Sequence, residues 1–348
     1  MEARETFSRD EACFLMQQIL TGSPADLQIA ALLGALAARG ETAAEIAGFA
    51  DAMRCVAIPL PLEDAERTLL VDTCGTGGDA SGTFNISTAS ALVAAAAGAT
   101  VAKHGNRAVT SQCGSADVLE ALGIPVDLSP AAAAEAIRRH RFAFLHAPTL
   151  HPTMRAVMPV RRALGVRTLF NIIGPLTNPA GASRQVMGVY APHLVPLVAE
   201  AMAMLGTRRA MVVHGDLQSH IAANLRPATG YLGLDELSIS GPSHVAEVRD
   251  TEVILGTITP EDAGLVRAPL EALLGGDAAT NAAILTAIFA GERGPRRDVV
   301  VLNAAAVLVT SDLAPDLPSG ARLAQRTIDS GAVTALVAAL VASRTKEP

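Results

Sequence analysis

Val71-Asp72-Thr73-Cys74-Gly75-Thr76-Gly77-Gly78-Asp79 follows a short apolar run, Leu69-Leu70-Val71, and leads into an alanine-rich stretch at 89–97. The run reads as a buried strand and the alanine-rich stretch as a helix. Strand, glycine loop and helix start, in that order, aim backbone N–H groups and the positive helix end at one point, which suits a phosphate. Three glycines in four positions let a ligand approach the backbone closely. Gly75-x-Gly77-x-x-Ala80 also fits the loose dinucleotide pattern. That fold wants an acidic residue about 20 residues further on. This chain offers Thr100-Val101-Ala102-Lys103-His104-Gly105 there, basic where it should be acidic. No Lys-Ser/Thr pair closes a P-loop, and a plain glycine-rich turn is the bland alternative.

The 348 residues leave room for two domains, and a net charge of -7 argues against a partner as acidic as nucleic acid. The four cysteines, Cys13, Cys55, Cys74 and Cys113, show no Cys-x-x-Cys or zinc spacing, as expected of a reduced cytoplasmic protein. Met1-Glu2-Ala3-Arg4-Glu5 leads into no signal-type run. Apolar stretches are broken by glycine, proline or charge, so no membrane helix is expected.

Residues 7–57 read as three helices. Ser8-Arg9-Asp10-Glu11 and Thr42-Ala43-Ala44-Glu45 have capping-box form, and Pro24 stands where a first helical residue would. A small helical domain, 1–67, should precede a larger one, 68–348. In the larger one, strands at 69–72, 99–103, 185–190, 210–214, 245–248 and 298–302 alternate with helices at 87–97, 116–122, 130–139, 193–205 and 278–290, an α/β pattern.

Three further stretches carry chemistry. Lys103 to Asp117 gathers two cations, an amide, hydroxyls and two glycines, with Ser115 set as a helix cap. Ser111, Cys113 and Ser115 lack a nucleophile elbow or paired base. Arg155, Arg161, Arg162 and Arg167 fit carboxylates or phosphates, although two or more of them read as surface charges. His146 and His151 read as structural. Asp235-Glu236 is an acidic pair of the kind that holds Mg²⁺ on a phosphorylated substrate, or else solvated surface.

Together these segments resemble the anthranilate phosphoribosyltransferases of tryptophan biosynthesis. Gly75-Thr76-Gly77-Gly78-Asp79, Thr83-Phe84-Asn85-Ile86-Ser87-Thr88, Lys103-His104-Gly105-Asn106-Arg107 and Gly114-Ser115-Ala116-Asp117 carry the likeness. His151-Pro152, Pro159-Val160-Arg161, Asn171, Gly174-Pro175-Leu176, Leu234-Asp235-Glu236, Gly275-Gly276-Asp277 and Leu302-Asn303-Ala304-Ala305-Ala306 extend it over nearly the whole chain. The resemblance implies a nucleoside-phosphorylase-like fold: a small all-helical domain, to which about 152–175 returns and through which a homodimer forms, plus a larger domain with a central mixed sheet flanked by helices. It implies transfer of phosphoribosyl from phosphoribosyl pyrophosphate to the amine of anthranilate, with Mg²⁺ and without a covalent enzyme intermediate. Gly75, Gly78, Asp79, Thr83, Asn85, Ile86, Ser87, Thr88, Lys103, His104, Gly105, Asn106, Arg107, Ser111 and Ser115 would bind phosphoribosyl pyrophosphate. Gly75, Asn106 and Arg161 would contact anthranilate, and Ser87, Asp235 and Glu236 the metal.

Ala80 stands where the family usually has glycine, and Thr110 and Cys113 where serine is common; 217–232 looks like an insertion. Two rivals share the presumed fold. A pyrimidine nucleoside phosphorylase would not call for Arg161 on a carboxylate or the Asp235-Glu236 pair. A non-catalytic nucleic-acid-binding paralogue should be basic over a broad face.

Overall fold

The computed structural model describes residues 5–108, 112–217 and 233–343. Thr110, Ser111 and nearly all of the 217–232 insertion therefore lie outside the described residues.

The N-terminal helices are α1 (Arg9–Leu20), α2 (Asp26–Arg39), α3 (Ala43–Val56) and the single turn α4 (Asp64–Arg67). Ser8 and Thr42 close the expected capping boxes with Glu11 and Glu45. Pro24 is not the first helical residue of α2. Ala25 is the N-cap, because the Gln28 side chain takes its N–H at 2.9 Å. Glu45 does more than cap. Fully buried, it also accepts from Phe7 N at 2.9 Å and Arg39 Nη2 at 2.6 Å, tying the segment before α1 and the end of α2 to α3.

Then follow β1 (Leu70–Gly75), α5 (Ile86–Ala96), β2 (Thr100–Gly105), α6 (Ser115–Ala121), α7 (Pro130–His140), β3 (Phe142–His146), α8 (Ala147–Leu150), α9 (Met158–Leu164) and α10 (Phe170–Ile173). The chain continues through β4 (Arg184–Gly188), α11 (Leu194–Met204), β5 (Arg209–Asp216), β6 (Gly233–Leu234), β7 (Ser243–Arg249) and β8 (Glu252–Ile258). It ends with α12 (Ala278–Phe289), α13 (Pro295–Thr310), α14 (Leu317–Asp329) and α15 (Ala332–Ser343). Among the described residues the strands form one mixed sheet in the order β3-β2-β1-β4-β5-β7-β8, with β6 on the end of β5. From β3 to β5 the neighbours are parallel, and β5, β7 and β8 pair antiparallel.

Three aliphatic clusters cover the sheet, the smallest of them joining Leu70, Ala102, Ala143 and Leu145 to α7. On one face α5, α13 and α14 pack over Val71, Val101, Val186 and Val213. On the other, the N-terminal helices, the 157–176 segment and α11 share a single core with Met187, Val189, Val212 and Ala246. Val157, Val160, Leu169 and Phe170 thus pack with Ala12, Leu33 and Phe49.

The expected strand at 298–302 is instead the middle of α13. Its valines are β-branched, but the helix is apolar on nearly every side and buried from Val299 to Thr310, so no helical stripe shows in the sequence. The strands β3, β6 and β8 are additions to those expected from the sequence. β3 is a short strand of four apolar residues and His146, and β8 is an edge strand with Ile254 and Leu255 exposed. No single described helix is long and apolar enough to cross a membrane, although α14 and α15, bent by 63°, pass that test as a pair by length and composition.

Candidate active site

The site forms where β1, β2 and β4 end. Gly75 and Gly188 are paired at the C-terminal ends of β1 and β4, and the chain after β6 crosses above them. A Cβ on Gly75 would collide with the Asp235 carboxylate, and one on Gly188 with the Asp235 carbonyl. Gly188 requires glycine because another backbone lies against it, and Gly75 because the carboxylate of Asp235 does. Gly77 and Gly78 turn the loop with φ of +69° and +78°, and Ala80 follows at φ 58°, the conformation glycine would take without strain.

The acidic pair is anchored from both sides. Asp235 Oδ2 accepts from Gly77 N at 2.7 Å, and Glu236 Oε1 accepts from Ser87 N at 2.9 Å, in the first turn of α5. The helix end read as a phosphate cradle is therefore shared with a carboxylate, a normal partner for a helix N-terminus. From α13, Asn303 binds both the N–H and the carbonyl of Leu237 at 2.9 Å, fixing the segment behind the pair. Burial pushes the Asp235 carboxyl well above its ordinary value, and Asp79 and Glu236 add to the rise. Burial lifts Glu236 to about 7, against the pull of Lys103 and the Ser87 N–H.

Crowded carboxylates of this kind are relieved by a cation. Among the described residues no three His, Cys, Asp or Glu side chains form a closed metal cage. An open pair of carboxylates beside a hydroxyl fits Mg²⁺, which keeps several waters and shares substrate phosphates.

Lys103 lies opposite. It is 1% exposed, and its Nζ donates to Thr73 O at 2.6 Å and Ser87 Oγ at 3.3 Å. Two of its three donors are thus engaged, leaving one for an anion. His104 is buried, with its ring 5.2 Å from that of His151. Burial first, then His151, Lys103 and His146, depress it to about 3, so it is neutral.

The remaining expected residues divide. Thr83 bridges to Leu274, and Asn85 joins Cys113 O at 3.2 Å to Asn281 at 2.9 Å, so the two knit the loops around α5 together. The side chains of Ile86 and Thr88 are buried, leaving their backbone for any ligand. Asp79 Oδ1 accepts from Ser81 N at 3.2 Å. Ser115 is the first residue of α6 rather than its cap; Gly114 caps, and Asp117 takes the N–H groups of Gly114 and Ala108 at 2.8 and 2.9 Å.

Asn106 folds back to accept from Arg107 N at 2.7 Å. Arg107 faces α6: it forks onto Glu120 at 2.5 and 2.8 Å, with Asp127 at 3.4 Å and Asp117 at 3.6 Å. Arg161 is half-buried over the Phe170 ring at 5.2 Å. Arg167 binds Gly78 O at 2.8 Å and stacks on Tyr190 at 4.5 Å. Arg155 and Arg162 are exposed. Of the four arginines, Arg167 is the one that touches the glycine loop; it has no site assignment from the sequence, where nothing separates it from its neighbours. A cavity of about 420 Å³ lined by Arg54, Arg67, Asn178 and Gln185 lies towards the other ends of β1 and β4. Its two guanidiniums are held on the carbonyls of Leu176, Leu205, Ala180 and Leu60.

A helical bundle leading into an α/β domain, with glycine-rich loops and an acidic pair at the strand ends, is the two-domain build of the glycosyl transferase family. Residues 2–57 match the helical bundle domain of the glycosyl transferase family and residues 67–334 its a/b domain. An anthranilate phosphoribosyltransferase of Chloroflexus aggregans is 50% identical over 331 residues, 94% of this chain and 92% of that protein. One from Roseiflexus castenholzii is 49% identical over 336 residues, 96% of this chain and 93% of that protein. The crystal structure of the Thermus thermophilus enzyme superposes with a TM-score of 0.88 at 44% identity, covering 97% of this chain and 96% of that one. The Saccharomyces cerevisiae enzyme in complex with PRPP and Mg gives 0.81 at 26% identity, covering 97% and 94%. The chain belongs to the anthranilate phosphoribosyltransferase family.

Proposed function

We propose that this protein transfers the phosphoribosyl group of phosphoribosyl pyrophosphate to the amine of anthranilate, releasing pyrophosphate, as a step of tryptophan biosynthesis. One observation carries the reading: the glycine loop, buried Lys103 and the anchored pair Asp235-Glu236 converge at the ends of β1, β2 and β4. Full-length relatives with that name support it.

Anthranilate's aromatic amine is neutral at physiological pH, so no strong base is needed to make it a nucleophile. Displacement at the ribose C1 demands neutralisation of the departing pyrophosphate and alignment of the amine. Lys103 and the loop N–H groups serve the first need. Arg107 joins them once it leaves its carboxylates. Asn106 and Arg161 serve the second, Arg161 facing the anthranilate carboxylate and Gly75 lying at the base of the acceptor site. Gly78, Asp79, Thr83, Asn85, Ser87, Gly105 and Ser115, with the backbone of Ile86, Thr88 and His104, would bind phosphoribosyl pyrophosphate, and Ser111, which lies outside the described residues, joins them on the family resemblance alone. Ser87, Asp235 and Glu236 would hold Mg²⁺, which when bound supplies charge neutralisation at the pyrophosphate oxygens.

The small domain, 1–67 with 152–175, forms a homodimer on this reading. Phe14 and Leu27, 59% and 84% exposed on α1 and α2, are the apolar surface that supports it. The protein works in the cytoplasm, in keeping with four free cysteines.

The test is loss of anthranilate fluorescence on mixing with phosphoribosyl pyrophosphate, with and without Mg²⁺, beside an Asp235→Asn/Glu236→Gln double variant. Metal-dependent consumption that the variant lacks supports the reading. No consumption by wild-type protein that still binds phosphoribosyl pyrophosphate points to a different acceptor.

A further inference from the structure

The cleft opens where β1 and β2 part. Their residues pair at Leu70 with Thr100 and Val71 with Val101, and no further. On either side the sheet stays intact, β1 with β4 as far as Gly75–Gly188 and β2 with β3 as far as Gly105–His146. Backbone groups released by this splay still need partners. Side chains provide them. Asp72, fully buried, accepts from His104 N at 3.1 Å on one oxygen and from Asn178 Nδ2 at 2.8 Å on the other. The same Asn178 nitrogen donates to Ala102 O at 2.8 Å, and Asn178 Oδ1 accepts from Ala180 N at 2.9 Å. Lys103 Nζ reaches back to Thr73 O.

We propose that Asp72 and Asn178 are positioning residues for the transfer: a polar wedge that sets the separation of β2 from β1 and so aims Lys103 and the 104–107 loop at the departing pyrophosphate. The inference rests on the phosphoribosyltransferase reading given above. A carboxylate buried with His104 N, Asn178 Nδ2 and Cys74 Sγ as donors, and near enough to Lys103 to feel its charge, is an expensive way to hold a sheet together, and an apolar pair with continuous strand pairing would do that better. The wedge sits at the strand peptides flanking Lys103 and touches none of the groups assigned to substrate except the His104 backbone. Its effect is therefore on alignment, where an error of about 1 Å costs on the order of a hundredfold in rate.

The experiment compares Asp72→Asn, Asn178→Asp and the double swap Asp72→Asn/Asn178→Asp, reading kcat, KM for each substrate, binding of phosphoribosyl pyrophosphate by calorimetry, and thermal unfolding. The first variant sets amide against amide, the second carboxylate against carboxylate, and the swap restores the donor–acceptor pair between 72 and 178 with reversed polarity while leaving Ala102 O without its donor. Each single variant should lose about tenfold or more in kcat while binding of phosphoribosyl pyrophosphate changes less than about threefold, and the swap should recover part of the loss. Single variants with wild-type kcat overturn the role, as does a loss that follows the unfolded fraction and is not recovered in the swap. Wild-type protein that leaves anthranilate unconsumed overturns the reaction, and the role with it; an active wild type with active single variants overturns the role alone.

Discussion

The Gly188 backbone lies directly against the Asp235 carbonyl, so the strand that ends at the cleft floor also sets the height of the acidic pair above it. A methyl group at 188 has nowhere to go without lifting the 233–237 segment. Gly188→Ala should cost about 1–3 kcal/mol of stability, as overpacking does. Turnover of the folded variant should fall as well, by about a hundredfold, through misplaced carboxylates. Steady-state rates across a Mg²⁺ titration, with thermal unfolding alongside, check it. A variant as active as wild type would show that the pair does not depend on this contact.

Ala80 sits at φ 58° on an exposed turn. An alanine there carries left-handed strain that glycine avoids, offset partly by glycine's larger unfolded-state entropy. Ala80→Gly should therefore stabilise by about 0.5–1 kcal/mol, the reverse of the usual sign. Thermal unfolding with an unchanged or lower midpoint would count against it.

Glu45 links the N-terminal helices through a carboxyl that is fully buried. Burial alone would raise its pKa, but bonds from Phe7 N, Arg39 and Thr42 N prevail and hold it below the ordinary carboxylate value. A carboxyl whose folded pKa is depressed stabilises above its unfolded pKa, about 4.3, and loses that contribution as pH falls towards the folded value. Glu45→Gln should lower stability by on the order of 2 kcal/mol at pH 7. The gap to wild type should close as pH drops below about 4. Denaturant midpoints at pH 7, 4 and 3 test the trend. A gap that is constant across that range would mean the charge is not what Glu45 contributes.

Among the described residues, Arg107, expected from the sequence as a phosphate ligand, is held instead by Glu120, Asp127 and Asp117. The pair with Glu120 is exposed on both sides, 42% and 43%, so breaking it should change stability by less than about 1 kcal/mol. Freeing the guanidinium should help it reach pyrophosphate. Glu120→Ala should lower the KM for phosphoribosyl pyrophosphate by about threefold, an effect that salt weakens. A raised KM would show instead that Glu120 presents Arg107 to the ligand.

What is legible in the sequence follows from how local each signal is. The strand, glycine loop and helix around Gly75 are contiguous and form as their order predicts, as do the capping boxes at Ser8 and Thr42. The middle of α13 reads wrongly because a helix buried all round loses its period, and its valines imitate a strand. Asp72 and Asn178 are invisible as a pair: 106 residues separate them, and neither belongs to a motif that announces its partner. Arg167 and Asn303 stand in stretches the sequence singles out, but their roles do not show there, since Arg167 acts through Gly78 and Tyr190 and Asn303 through Leu237, all far away along the chain.

Arg161 is half-buried, has no carboxylate within ion-pairing distance among the described residues, and lies over Phe170 with only Met158 Sδ at 4.0 Å as a polar neighbour. Burial lowers its pKa, yet a guanidinium stays charged at any working pH. An arginine kept there without a counter-ion is poised for one brought by substrate, and the carboxylate of anthranilate has the matching geometry. Arg161→Ala should raise the KM for anthranilate by about 10–100-fold and leave binding of phosphoribosyl pyrophosphate unchanged. Arg161→Lys should recover only part of the loss, since an ammonium cannot make the two-pronged bond. Aniline, which lacks the carboxylate, provides the control. Wild-type protein should discriminate against it strongly and Arg161→Ala hardly at all. Equal discrimination by both would move the carboxylate to another cation of the 155–167 stretch, Arg167 first, because it already lies on the glycine loop.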